Sequence, residues 1–384
     1  MEQEEDKPYK IFFLFSGMGS LLLFNAILNF SLLFDNTIKG LYFYILFSFS
    51  FGSMVCFILI GLIGEAWSKY KILIIITLFQ LFVFIFMILY TVSGPAPDWG
   101  MLIIVIAAFL AGIASSWFQS LSAGLAMETS SEAIKFFNFG TGLVGLLINI
   151  IMIVLNYFFP AADEKGYHFD MAYKQVYCFL PFFVLTLGLY LVSVWFYNKD
   201  VRRVTDLSNI KYQEIENNEV PNMNILKRSL DIEFGIFILL LTSVNLVAFL
   251  IVKAFQTFDE ASGRSIAIFF LAYNLADTLS KIAPISWLPR NPLSIHLINL
   301  TKILLNVFFF VIIIGNVQNL LSSFYLRVAL IVLNGLLNGM MTNALMIINS
   351  ERFSKAKEKE RAGYWNIFSL LLGVLCANLF GVLL

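Results

Sequence analysis

The stretch IAIFFLAYNLADTLSKIAPISWL, residues 266–288, is apolar and long enough to cross a lipid bilayer, yet it carries an acid and a base in its middle. A charge at the centre of a membrane helix costs about 2.5–3.5 kcal/mol on insertion scales, so Asp277 and Lys281 require either partners or a task. Residues three and four apart share one face of a helix, which places Asn274, Asp277 and Lys281 on a single polar stripe. Reading this stretch as a membrane helix decides the fold class.

The rest of the chain agrees. Of 384 residues 59% are hydrophobic, 41 are Phe, and only 13% are charged, about half the share of a soluble domain. Mean hydropathy is +0.84. A soluble fold has no interior large enough to hide this surface, so the class is an all-α polytopic membrane protein. Barrel strands would alternate polar and apolar residues, and these segments do not. Net charge is zero, which argues against a nucleic-acid partner. Cys56, Cys178 and Cys376 lie in apolar runs without metal-ligand spacing and read as packing residues. The start MEQEEDKPYK lacks the basic region and cleavage site of a signal peptide, so the first apolar run reads as a retained span.

Eleven segments are long enough to span: 10–34, 41–63, 72–92, 101–127, 133–159, 175–197, 234–253, 265–288, 294–316, 321–349 and 362–384. Most Lys and Arg fall on one side when the N-terminus is cytosolic, with the clusters Lys199–Arg203 and Arg352–Arg361 inside. An odd number of helices then puts the C-terminus outside. The polar connection 198–233 divides the chain into a six-helix bundle (1–197) and a five-helix bundle (234–384), a 6+5 arrangement joined by a cytosolic tether.

Several amides lie deep in apolar runs: Asn25, Gln119, Asn149, Asn245, Asn334, Asn338 and Asn343. Any one can glue two helices. Together they suggest a polar interior that holds a neutral polar solute. Two readings of Asp277 and Lys281 stand side by side. One is an ion pair that cancels charge in the membrane. The other is a receptor for a vicinal diol, in which Asp277 and Asn274 take the hydroxyls and Lys281 keeps Asp277 ionised. Lys302 reads as a snorkelling lysine of the ninth span, and His296 near it as a candidate proton group. There is no phosphate-cradling GxxxxGK[ST] loop, no HExxH and no Ser-His-Asp set, so an enzyme is not expected, and no cofactor or metal is implied. No obligate protein partner is implied, and with no organelle address visible the plasma membrane is the expected location.

Four regions taken together resemble the equilibrative nucleoside transporter family (solute carrier family 29). GMGSLLLFN at 17–25 resembles its helix-1 G-x-G-x-L-L-P-W-N. Gln119 followed by GTGLVG at 140–145 resembles its helix-4 glutamine and helix-5 G-x-G-x-x-G. YNLADTLSK at 273–281 resembles F-N-x-x-D-x-x-G-R of helix 8. Asn334-Gly335 and ERAG at 360–363, with Gly373, resemble features of helices 10 and 11. Leu23-Phe24 stand where the family has Pro-Trp, and Ser280-Lys281 where it has Gly-Arg. The resemblance implies a major-facilitator-like bundle that moves nucleosides, purine nucleosides first, down their gradient by alternating access. It implies that Asp277 and Lys281 meet the ribose and Gln119 the base, with Asn25 and Phe24 beside it. Alternatives are a carrier of nucleobases or another small metabolite, with proton coupling, and a non-transporting membrane scaffold or receptor.

Overall fold

The computed structural model describes residues 7–35, 41–63, 69–92, 97–160, 162–163, 166–167, 174, 177–178, 180–191, 222–247, 263–314 and 324–383. Eleven helices appear among them. In the first half these are α1 (Lys7–Asp35), α2 (Leu41–Ile63), α3 (Lys69–Val92), α4 (Pro97–Thr129), α5 (Ser131–Phe158) and α6 (Leu180–Leu191). The second half holds α7 (Asn222–Val247), α8 (Gly263–Ile282), α9 (Pro292–Ile314), α10 (Phe324–Glu351) and α11 (Ala356–Leu383). A two-residue antiparallel ribbon pairs Ala162 with Tyr167 after α5. Six of the helices are long and apolar enough to cross a membrane over their described residues.

Helices are the form that satisfies every backbone group internally in lipid. The α4–α5 corner shows how little sequence a reversal needs. Ser130 alone separates the two helices, and its hydroxyl accepts from the Ala133 amide at 3.1 Å, capping α5. Close crossings then depend on missing side chains. Gly17 of α1 and Gly140 of α5 face each other's backbone, so that a Cβ on either would strike the carbonyl of Phe137 or Leu14.

One apolar core lies within the first half, around Leu22, Phe49, Phe84, Val144 and Phe183, with the rings of Phe84 and Phe183 stacked at 3.7 Å. Smaller cores lie within the second half, around Phe269 and Ile331 and around Ile236, Leu239 and Met341. A further core, containing Phe12, Phe118, Met127, Phe137, Met346, Phe353 and Ala362, draws on both halves and fuses them.

The largest departures from the sequence reading are at three helix ends. α7 begins at Asn222, so residues 222–233 of the expected tether are helical. Ile225, Ser229, Ile232, Glu233 and Ile236 form one buried face, while Lys227, Arg228, Leu230 and Asp231 stay exposed. Such an amphipathic turn has low hydropathy and reads as a linker. Residues 192–221 lie outside the described residues. α8 ends at Ile282 rather than Leu288, because Pro284, with φ −55° and ψ 141°, leaves the helix for a short 3-10 turn at Ile285–Trp287. α11 begins at Ala356, before the expected apolar start. Of the three cysteines expected to pack, Cys56 is buried, Cys376 half-buried and Cys178 exposed.

Candidate functional site

Asp277 and Lys281 lie in the last turns of α8, not mid-helix, and are nonetheless 5% and 6% exposed. The cover comes from α5 and α10, which pack on either side of α8. Gly142 of α5 and Gly339 of α10 make this possible. A Cβ on Gly142 would sit 3.3 Å from Asp277 Oδ2 and one on Gly339 3.1 Å from Oδ1.

Within this space the i,i+4 pair closes. Lys281 Nζ donates to Asp277 Oδ2 at 2.6 Å and to Thr141 Oγ1 of α5 at 3.2 Å. Thr141 Oγ1 in turn donates to the Asn138 carbonyl at 2.6 Å. The other carboxylate oxygen, Oδ1, accepts from Asn338 Nδ2 of α10 at 2.9 Å. Asn338 Oδ1 accepts from Ser243 Oγ of α7 at 3.0 Å, and Lys302 of α9 donates to that same hydroxyl. A second strand of bonds runs along the seam: Asn343 Nδ2 holds the Lys281 carbonyl at 2.9 Å, and Asn138 Nδ2 holds Asn343 Oδ1 at 2.8 Å.

Asp277 is therefore a junction. One oxygen is tied inside the second half of the chain, the other reaches the first half through Lys281. A carboxylate offers about four acceptor positions, and two donors occupy Asp277 here. The charges of Asp277 and Lys281 cancel locally, which is how a buried pair survives in apolar surroundings.

Of the other residues expected at the site, Asn274 and Asn25 come together. Their Oδ1 atoms lie 3.1 and 3.5 Å from the point where a Cβ on Gly145 would stand. Asn274 is one turn from Asp277, and Asn25 also holds its own helix by a bond to the Leu21 carbonyl at 2.9 Å. Gln119 is buried on α4 and has no hydrogen bond to this cluster among the described residues. The Phe24 ring packs on Phe49 of α2 at 4.7 Å. His296 is exposed on α9. Lys302 overturns its reading: it is 1% exposed, inside the bundle between α9 and α7, and does not snorkel. Thr141, Ser243 and Asn138 were not singled out from the sequence. Only Thr141 had a signal, its place inside GTGLVG.

No protein-family model matches this chain, and no curated protein does. Solved structures do. A bacterial homologue of the iron transporter ferroportin, in an outward-facing state with soaked iron, gives a TM-score of 0.61 at 13% identity over 99% of this chain and 92% of that one. A bacterial ferroportin homologue in an outward-facing state also matches with a TM-score of 0.53, at 12% identity, over 97% and 98% of the two chains. The likeness is one of fold. The chain is a polytopic helical membrane bundle that shares its fold with these two structures, and the match takes in 99% of it.

Proposed function

We propose that this chain is an alternating-access carrier in the plasma membrane for a neutral, hydroxyl-bearing small solute, nucleosides first. One observation carries the reading: the Asp277–Lys281 pair is buried at the seam, with one arm on each half of the bundle. A pair placed there changes its surroundings whenever the halves rock. The remaining acceptor positions of Asp277, with the amide oxygens of Asn274 and Asn25 one turn away, suit a sugar's hydroxyls. The seam bonds Lys281–Thr141, Asn138–Asn343 and Ser350–Met127 are those that opening to the N-terminal side must break. The motif resemblance to nucleoside transporters supports the choice of solute. Binding energy common to both states does not bias direction, so the gradient sets net flux.

The ferroportin homologues raise iron as a rival cargo. Two features weigh against it. Lys281 neutralises the carboxylate a cation would need, and among the described residues no group of three or more His, Cys, Asp or Glu gathers as metal ligands.

Uptake of labelled adenosine, adenine, glucose and ferrous iron in cells lacking their own nucleoside carriers tests the reading. Adenosine is expected to accumulate, and Asp277→Asn to stop it. Uptake of iron alone, or of none of the four, ends the proposal; adenine alone moves it to nucleobases.

A further inference from the structure

We propose that Lys302 is a positioning residue for the candidate site, acting on Asp277 through Ser243 and Asn338. The solute named above rests on the preceding reading; the arrangement itself does not.

Lys302 is a fully enclosed amine whose contacts are the Ser243 hydroxyl and, at 3.5 Å, the Leu239 carbonyl, both on α7. Among the described residues no carboxylate lies within ion-pair reach of it. A lysine in such a place costs stability, which asks for a function. The logic lies in the direction of the bonds. An ammonium has donors only, so Ser243 Oγ must accept from it. The single Ser243 proton is then left for Asn338 Oδ1. With its oxygen occupied, the Asn338 amide must turn its NH2 end to Asp277 Oδ1. Remove the cation and Ser243 is free to accept instead of donate. The acceptor-only carboxylate is then the one group left to hold the NH2 end of Asn338 forward, and its aim on Oδ1 loosens.

The chain of bonds lies wholly on α7, α8, α9 and α10. Asn306 Nδ2 fastens α9 to α7 through the Thr242 carbonyl at 3.0 Å, and Asn334 Nδ2 fastens α10 to α7 through the Ser243 carbonyl at 3.2 Å. Rocking of the halves breaks Lys281–Thr141 but leaves this arm intact. Lys302 thus keeps Asp277 oriented in both states, so its loss affects solute affinity rather than turnover.

The test uses the full chain in lipid nanodiscs without solute. Infrared difference spectra identify the Asp277 carboxylate band by its loss in Asp277→Asn. Lys302→Met and Ser243→Ala are expected to shift that band and Ser243→Thr, which keeps the hydroxyl, to leave it. In uptake assays Lys302→Met and Ser243→Ala should each raise KM about tenfold at similar maximal rate, as for one lost hydrogen bond to a charged group, and the double variant should be no worse than either. Should Lys302→Met fail to fold, Ser243→Ala decides. An unmoved band in Ser243→Ala overturns the proposal. A shifted band in a protein that carries no nucleoside leaves the positioning role standing and removes the cargo.

Discussion

The two halves of the bundle are joined inside by different means. In the first half, hydroxyls mostly turn back onto their own helix: Ser50 to the Leu46 carbonyl, Ser53 to Phe49, Thr77 to Leu73, Thr186 to Phe182. Ser48 instead crosses to the Val105 carbonyl at 2.7 Å, and Ser53 also reaches that of Gly112 at 3.4 Å. Its helix crossings rest on glycines facing backbone, Gly17 with Gly140 and Gly52 with Gly112. In the second half, amides and charges reach across. Asn299 bonds the Gly235 carbonyl, Asn306 that of Thr242, Asn334 that of Ser243, and Asn338 the Asp277 carboxylate. Glycines facing backbone serve both halves, Gly339 and Gly373 in the second, and the directional bonds are what the second half adds. A polar solute needs directional partners, so the candidate site grows out of the second half and the first half supplies its cover.

The contrast predicts how each half breaks. The largest effect belongs to Asp277→Asn, which leaves Lys281 buried without a counter-charge, at a cost of about 3–5 kcal/mol, and abolishes uptake. Adding Lys281→Met removes the stranded charge. Thermal stability in detergent should return while uptake does not; a double variant that transports normally makes the pair purely structural.

Gly140→Val comes next. It forces a side chain into the backbone of α1, and overpacking of this kind costs about 1–3 kcal/mol. Yield and melting temperature should fall while KM of the surviving protein holds, because shape and not a solute contact is lost. A raised KM would show that the first half reads the solute as well.

Thr141→Val keeps shape and removes the acceptor that Lys281 finds across the seam among the described residues. Its expected effect is about 1 kcal/mol on the balance between the two states, visible as changed spin-label distances between the halves. Unchanged distances would mean that the seam is held by packing alone. The smallest effect is expected from Arg352→Ala. Arg352 grips Asp231 with two bonds, of 2.5 and 2.6 Å, but in contact with solvent, where such pairs contribute no more than about 1 kcal/mol. Melting curves of the two proteins should nearly coincide.

Much of this was visible along the chain. Hydropathy alone gives the second span as 41–63, and α2 occupies Leu41–Ile63. The Asp277–Lys281 pair follows from helical spacing alone. The first turns of α7 escape hydropathy because they are amphipathic and the average runs over both faces. Pro284 was in plain view, but the apolar residues after it carried the expected span past the true end of α8. The burial of Lys302 is invisible to hydropathy for a different reason. Hydropathy gives the depth of a residue in a membrane but not whether it faces lipid, water or a neighbouring helix.

The sequence by itself determined what is local: apolar runs that must be helices because lipid solvates no backbone, and an acid and base one turn apart that must meet. Only the tertiary structure decided which groups gather around Asp277 and Lys281, directly or through one another. Thr141, Asn338, Ser243 and Lys302 arrive from four other helices, brought there by glycine-lined crossings and by amides whose partners lie far away in the chain. Spacing carries no record of such meetings, because a helix fixes which residues share a face and leaves open what that face will meet.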